Sequence, residues 1–558
     1  MSMPDRVPCT AVERWEAAGA SLVTTIDAYM NLCLNLGTNP PVEDGGSEDL
    51  VSKIDYTLAT IRTTIFRHLH KSSSTLARTR NRLASPFFRF PVEIMSKIFM
   101  SVVHDHSIME TPLTMEQEIR RTYCHIYTLL GICTAWRDIV MTRGAFWSVI
   151  PIITSQYNDK WQPSLLSLQR AGRSPLHLAV AVRQPASSGE LTTVLAKYGT
   201  RFRTINISVT NPAEIMAGIG SWLLQQNTPR SLSELSIRCA STHDQANRLP
   251  QSSDYIIPRY STHQGSFAKL VGMLTTFRVS GAQLHWDVLT FSTQLVELQI
   301  GEVVLGHDDA VVSLVRALSS AICLRDLKVN SVSTFHTLGA ARNSRVTLPS
   351  LKSLFIKDLY LNTLQRFLSI LTPGPYHLTI FLTRNSITIN SFDDGKVVDF
   401  DGLCRALEHT PVHVLMINGL LEDERSTTWR LPKLLKTMST LKTLKLHNWS
   451  FSGGLCKALT RISEGHPFPA LQNLHLSAAE VRIKSNFRDL IASYPLRKVV
   501  LGGKYQVVRR DQTVGWKSFQ EDSSIITWLR GNMPGIDLYL INDGHCPPEF
   551  RRDEWELW

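Results

Sequence analysis

One six-residue apolar pattern, Leu-x-x-Leu-x-Leu, returns along this chain at a nearly fixed interval. That regularity restricts it to folds that stack. The clear copies are Leu232-x-x-Leu235-x-Ile237, Leu295-x-x-Leu298-x-Ile300, Leu324-x-x-Leu327-x-Val329 and Leu351-x-x-Leu354-x-Ile356. After a less regular stretch come Val412-x-x-Leu415-x-Ile417, Leu441-x-x-Leu444-x-Leu446, Leu471-x-x-Leu474-x-Leu476 and Leu496-x-x-Val499-x-Leu501. Central residues 298, 327 and 354 are 29 and 27 apart; residues 415, 444, 474 and 499 are 29, 30 and 25 apart. Alternating apolar residues place one face of a short strand inside. A single unit cannot bury that face, so neighbours must stack to cover it.

A period of 25–30 residues with this strand is the leucine-rich-repeat signature. The remainder of each unit returns as a helix: Leu314-Val315-Leu318, Leu364-Phe367-Leu368-Leu371, Leu403-Leu407, Leu431-Leu434-Leu435, Leu455-Leu459-Ile462 and Phe487-Leu490-Ile491 are such segments. An ordinary alternating α/β domain would also mix strands and helices, but gives no reason for the period. Weaker copies sit at 202–207, 274–279 and 536–540. The expected fold class is α/β, with a horseshoe solenoid over 152–546. Residues 239–265 read as a polar insertion, and 383–400, with Asn385, Asp393, Asp394 and Gly395, as a hairpin or loop. The end, 547–558, either caps the last repeat with its tryptophans or forms a free tail.

Composition narrows the class further. Lys and Arg number 59 and Asp and Glu 48 in 558 residues, a net charge of +11. With 43% apolar and 19% charged residues the chain has ample core material and is not disordered over most of its length. No long basic run interleaves with aromatics, so a nucleic-acid partner is not expected. The nine cysteines form no Cys-x-x-Cys pair, which speaks against both a disulfide framework and a zinc module. Residues 1–36 carry Asp5, Glu13, Arg14, Glu16 and Asp27, unlike a secretory leader. No apolar run reaches the ~18 residues of a membrane span. The expected location is the cytoplasm, the nucleus or both.

The N-terminal part is helical by spacing. Val12, Trp15, Leu22, Val23, Ile26, Met30 and Leu34 predict a helix over 12–36, and Leu50, Ile54, Leu58, Ile61, Ile65 and Leu69 a second of about 25 residues from Ser47. This helical segment is expected to end at 84. Then comes Phe90-Pro91-Val92-Glu93-Ile94-Met95-Ser96-Lys97-Ile98-Phe99. Proline costs nothing at a helix start, and Glu93 suits the first turn. Leu129, Ile132, Cys133, Trp136 and Val140 share a helical face over 129–140, and Phe146-Trp147 closes the segment.

In this order, Phe90, Pro91, Glu93, Ile94, Ile98, Phe99, Cys133, Trp136, Arg137, Phe146 and Trp147 resemble the F-box, and with the repeats the chain is similar to long fungal F-box/leucine-rich-repeat proteins. The resemblance implies an all-α F-box over 85–151. It departs from the pattern by an insertion at about 102–125, with a short polar helix at 116–121, which must loop out for the F-box packing to survive.

An F-box implies docking on the Skp adaptor of an SCF-type cullin–RING ubiquitin ligase. Phe90, Pro91, Ile94, Ile98 and Phe99 are the hydrophobes this assigns to the adaptor. Trp136 and Trp147 either join them or fill the domain's own core. The chain would then be a substrate-recognition subunit, non-catalytic and without cofactor, that brings a protein substrate near the ubiquitin-loaded enzyme. Substrate contacts are expected on the concave strand face, where Arg238, Lys328, Phe355, Lys357, Lys445, His447 and His475 alternate with the buried positions. Their basic tendency suits an acidic or phosphorylated partner. The alternative is a leucine-rich-repeat scaffold with a degenerate F-box and no ligase. No Gly-x-Ser-x-Gly, phosphate loop or His-Glu-x-x-His occurs. His104-x-His106 lacks a partner motif for a metal, and Gly502-Gly503-Lys504 reads as a turn after a repeat strand.

Overall fold

The computed structural model describes residues 10–38, 47–104, 113–154, 163–182, 188–210, 231–239, 248–337, 345–392, 395–419, 427–461, 468–508 and 514–551. The chain divides into two compact units, Met1–Pro91 and Val92–Trp558.

The first unit is helical. Its first helix is Thr10–Thr38, and none of its side chains is buried. A second runs Ser47–Thr60, passes through a wider turn at Ile61–Ile65 and continues as Phe66–Ala84. Ser72, Ser73, Ser74 and Thr75 stay helical, and the helix runs on to Ala84. Thr75 Oγ1 donates to the Lys71 carbonyl at 2.8 Å, a back-bond that lets a hydroxyl residue sit inside a helix. A short turn Pro86–Arg89 closes the unit, with the Phe87 and Phe90 rings edge to face at 6.3 Å. The last long helix of this unit ends at Ala84 and the unit itself at Pro91.

The second unit is mixed α/β, built on a long parallel sheet and consistent with a leucine-rich-repeat-like solenoid. Among the described residues the sheet has sixteen strands. Its spine follows chain order: Val149–Thr154, Leu176–Val182, Phe202–Val209, Glu234–Cys239, Thr276–Ser280, Glu297–Gly301, Asp326–Asn330, Ser353–Lys357, His377–Leu382, Val412–Asn418, Thr443–His447, Asn473–Val481 and Lys498–Val508. Asp537–Leu540 extends it in parallel and Val514–Ser518 turns back antiparallel. The sheet thus starts at 149, inside the segment assigned above to the all-α motif. Both belong to one compact unit.

Register explains the repeat. Leu235, Phe277, Leu298, Leu327 and Leu354 are direct neighbours on successive strands, and so are Leu415, Leu444, Leu474 and Val499. These rows share one continuous core with the return helices Asp309–Leu318, Leu361–Ile370, Phe400–Glu408, Gly453–Leu459 and Lys484–Ala492. A further periodicity is purely geometric. Gly281, Glu302, Ser331, Asp358, Asn448 and Ala478, at the equivalent point where each strand turns away, all have φ between 50° and 66°. The N–H groups of Glu302, Ser331 and Asn448 donate to the next strand's carbonyls at 2.8–2.9 Å, which holds this uncommon conformation in place.

Three expectations change. Residues 115–125 of the expected insertion do not loop out. They form most of the helix Met115–Ile132, which buries Met115, Ile119, Tyr123, Ile126 and Leu129 and is capped by Thr114 with Gln117. Its charged residues Glu116, Glu118, Arg120 and Arg121 are half-buried, with Arg120 paired to Glu116, while these apolar ones fill the core. The expected helix over 129–140 is two elements: Cys133 is extended, at φ −159° and ψ 166°, and a new helix runs Thr134–Thr142. Gly502 and Gly503 lie inside the eleven-residue strand Lys498–Val508, not in a turn after it. The 383–400 segment is a hairpin, Thr388–Asn390 against Lys396–Val398, with Asp393 and Asp394 outside the described residues.

Candidate functional site

Two surfaces carry the residues singled out from sequence. The first is the helix Val92–Val103. Its residues sort into two stripes one position apart. Met95, Phe99 and Val103 are buried. Ile94 and Val102 are exposed and Ile98 is half-buried, so positions 94, 98 and 102 form a second apolar row on the outside. Glu93 accepts a hydrogen bond from Arg143 at 3.0 Å, tying the start of this helix to the end of Thr134–Thr142. The backbone at the helix start, and then Arg143, hold the Glu93 carboxyl below its usual range.

Phe99 is therefore a core residue, 1% exposed, rather than an outward hydrophobe. Its ring lies 4.6 Å from that of Trp136, which is half-buried against the same core. Trp147 is fully buried and its Nε1 donates to the Val140 carbonyl at 2.8 Å, so the core alternative holds for it. Phe90 and Pro91 are exposed and belong to the first unit. Of the residues assigned to an adaptor, Ile94 stands out on the second unit's surface, 41% exposed, with Ile98 partly so.

The second surface is the strand face opposite the return helices. Lys357, Phe381, Met416, Lys445 and His475 follow one another in a single row across five adjacent strands. The parallel row beside it runs through Lys328, Phe355, Thr379 and Val414. Arg238 lies in the first row but four strands before Lys357, so the face does not gather all seven expected residues. His447 is on the Lys445 strand, where its ring meets Ser477 Oγ at 2.8 Å.

What joins these residues is the segment 546–551. Its short turn Pro548–Phe550 lays Phe550 on Phe381, with ring centroids 5.2 Å apart, and on His447 at 5.2 Å. Phe381, Val414, Met416 and Phe550 form their own buried cluster, flanked by Phe355 and Cys546 and separate from the main core. Glu549 Oε1 pairs with Lys445 Nζ at 2.6 Å. Lys357 Nζ donates to the main-chain carbonyls of Glu549, at 3.4 Å, and of Arg551. Lys357 is only 8% exposed in consequence. The described part of this end therefore does not hang free, and Trp555 and Trp558, on which the expected cap rests, lie outside the described residues.

Sequence reasoning missed Phe381, Val414, Met416, Glu549 and Phe550. The strand His377–Leu382 shows alternation, Leu378-x-Ile380-x-Leu382, without the leucine three residues earlier. The register also shifts beside Leu378, where His413 is an extra residue between Val412 and Val414 and accepts the Leu378 N–H at Nδ1, 3.2 Å. That bulge sets Val414 beside Thr379 and Met416 beside Phe381.

Charge is unevenly held here. Burial, with Lys445 and Lys498 adding to it, lowers His475 to about 4, so this histidine is neutral at pH 7. Burial opposes the Glu549 carboxylate, but the bond to Lys445 outweighs it, and its net position is below the usual range. Between pH 6.5 and about 4 the unfolded chain takes up a proton at His475 that the folded chain refuses. Stability from this group is therefore complete above 6.5 and falls as pH drops toward 4. A His475→Gln chain should flatten the pH–melting curve in that window by on the order of 1–2 kcal/mol. An unchanged slope would show that His475 is solvated.

No family model matches this chain, and no curated protein sequence matches it. Among solved structures, one titled "Crystal structure of TLR13-ssRNA13 complex" aligns with 56% of this chain and 47% of that chain, at 14% identity and a TM-score of 0.21. The match thus spans about half the length of that protein.

Proposed function

We propose that this chain is the substrate-recognition subunit of an SCF-type cullin–RING ubiquitin ligase, working in the cytoplasm or nucleus. The observation that carries the reading is the outer apolar row Ile94–Ile98–Val102. It lies on the helix that follows Phe90-Pro91, as an F-box resemblance requires, and the helix already has a buried row of its own. An amphipathic helix that is apolar on a second side has surface left for a partner's groove. The repeat ladder in the same unit offers a face for a protein substrate, and the chain supplies proximity rather than covalent chemistry.

The test is co-purification of the full chain with the Skp adaptor, beside an Ile94→Asp, Ile98→Asp variant checked by circular dichroism. Two central hydrophobes replaced by carboxylates should weaken docking by at least about 100-fold. Ile94→Asp alone, at the more exposed site, should keep the fold and lose most of that affinity. A wild-type chain that does not bind the adaptor would sink the ligase reading. The second reading, a repeat scaffold with a degenerate F-box, has a specific observation in its favour. The eighteen-residue helix Met115–Ile132 and the break at Cys133 depart from the spacing of the motif it would have to match.

A further inference from the structure

We infer that the strand face between Lys357 and Lys445 is a peptide-binding site for a segment with an acidic residue directly before an aromatic one, and that 546–551 is its resident occupant. The inference rests on reading this face as a partner surface; it does not depend on the adaptor.

The argument begins with the composition of the row. Toward the N-terminal end this face carries small or polar positions, Ser280, Gly301 and Asn330. Then it changes to Lys357, Phe381, Met416, Lys445. Phe381, Met416 and, in the next row, Val414 and Phe355 form an apolar floor bracketed by two cations. Apolar side chains on the strand face away from the core add nothing to the repeat's own packing, since the core rows are complete without them. Left bare, such a floor would be a contiguous exposed apolar patch.

The way 546–551 fills it defines what the site recognises. Phe550 supplies an aromatic ring edge-on to Phe381, with a 72° interplanar angle. Glu549 supplies a carboxylate to Lys445 at 2.6 Å. Lys357 donates to two backbone carbonyls of the segment, contacts that any sequence in this turn would offer. Two adjacent side chains thus carry the specificity, the acid and the aromatic, and one lysine holds the main chain. A segment in trans with the same two residues would meet the same three contacts.

A tethered occupant competes at an effective concentration of roughly 1 mM. A free peptide that binds the vacant face with a Kd near 100 μM would therefore be weakened about tenfold by the resident segment.

The probe is a fluorescein-labelled peptide of residues 544–551 with Ser in place of Cys546. It is titrated by anisotropy into the full chain and into a Glu549→Ala, Phe550→Ala chain, with no adaptor present. The vacated chain should bind at least tenfold more tightly than wild type. Adding Lys445→Met to the vacated chain should lose about tenfold, and changing the peptide's glutamate to glutamine should lose a similar factor without adding to it. A charge swap covers the case in which the vacated chain does not fold: a Lys445→Glu chain should prefer the peptide carrying Lys at the glutamate position over the original. A folded, vacated chain that binds no better than wild type would overturn the inference, as would equal binding with and without Lys445. Either failure leaves Ile94 and Ile98 untouched, and failure of adaptor docking leaves the peptide result standing.

Discussion

A Gly503→Ala chain is expected to lose about 3–5 kcal/mol, the largest effect of any single methyl in the repeat region. Gly503 has φ +128°, a conformation that side chains other than glycine's rarely adopt. Its position is also tight. A Cβ there would stand 2.1 Å from the Ala479 carbonyl oxygen and 2.3 Å from the Ala479 nitrogen, both backbone atoms of the paired strand. Ala479 and Gly503 are register partners just past a shift after Leu476, where Ala478 turns with φ 50°. Two strands are pressed together at the irregularity, and no side-chain rotation relieves the overlap. Gly502 is an instructive neighbour. Its Cβ would meet chiefly the Ile541 side chain, at 2.5 Å, and Ile541 O at 3.0 Å, so Gly502→Ala should cost less. Gly531, in the helix Ser524–Asn532, faces open space, and Gly531→Ala should gain about 0.5–1 kcal/mol. Urea midpoints of the three chains give the order. Repeat arrays lose cooperativity locally, so amide exchange in 498–508 and 514–518 should rise first in Gly503→Ala. Equal stability of Gly503→Ala and Gly531→Ala would mean that these strands do not meet as described.

The stack was legible in the sequence because its rule is local. Each copy such as Leu441-x-x-Leu444-x-Leu446 places its own residues inward, and the copy 30 residues later does the same, so no knowledge of the partner strand is needed. The return helices are legible for the same reason. What the pattern hides is where two local rules compete. In 115–132 the charges Glu116, Glu118, Arg120 and Arg121 suggest a solvated insertion, although Met115, Ile119, Tyr123 and Ile126 keep a helical spacing of four, four and three. The apolar row decides, because burying those residues outweighs the cost of half-burying their charged neighbours, of which Arg120 and Glu116 pair with each other. At Cys133 no proline marks the end of a helix, and Gly131, in the last turn, is a weak signal inside an otherwise continuous apolar face.

The strand-face site was legible only in half. Phe355, Lys357, Lys445 and His447 follow from alternation, since outward positions are simply the complement of inward ones. Their occupant does not follow. Phe550 meets Phe381 across 169 residues of sequence, and Glu549 meets Lys445 across 104. A lone phenylalanine in a short turn carries no periodic signal. Val414 and Met416 are likewise the complement of Leu415 and Ile417, and only their pairing with Thr379 and Phe381 is hidden, because the register shifts beside Leu378. Basic residues on that face suggested an acidic partner, and the protein answers with its own glutamate.

Trp147 separates the two readings that its sequence leaves open, and Trp147→Ala should cost about 3–5 kcal/mol. The indole is fully buried, so truncation leaves a cavity where the chain passes from the turn Gly144–Trp147 into the first strand of the ladder. It also strands the Val140 carbonyl, which accepts from Nε1 at 2.8 Å and lies in the last turn of Thr134–Thr142. An unmet buried acceptor is itself worth about 1–3 kcal/mol, part of which the cavity figure already contains. The damage should be local: exchange of amides in 134–154 should accelerate by at least about 100-fold, since each 1.4 kcal/mol is a factor of ten. Amides in the central strands 326–357 should be unaffected. A docking role predicts the opposite pattern, with exchange unchanged and adaptor affinity lost. Ile94→Ala supplies the contrast. At 41% exposure it removes little buried surface, so it should cost under about 1 kcal/mol of stability while still weakening adaptor binding. Stability and docking should therefore part company along the helix Val92–Val103 and its neighbours, with the inner row and Trp147 governing the first and the outer row the second.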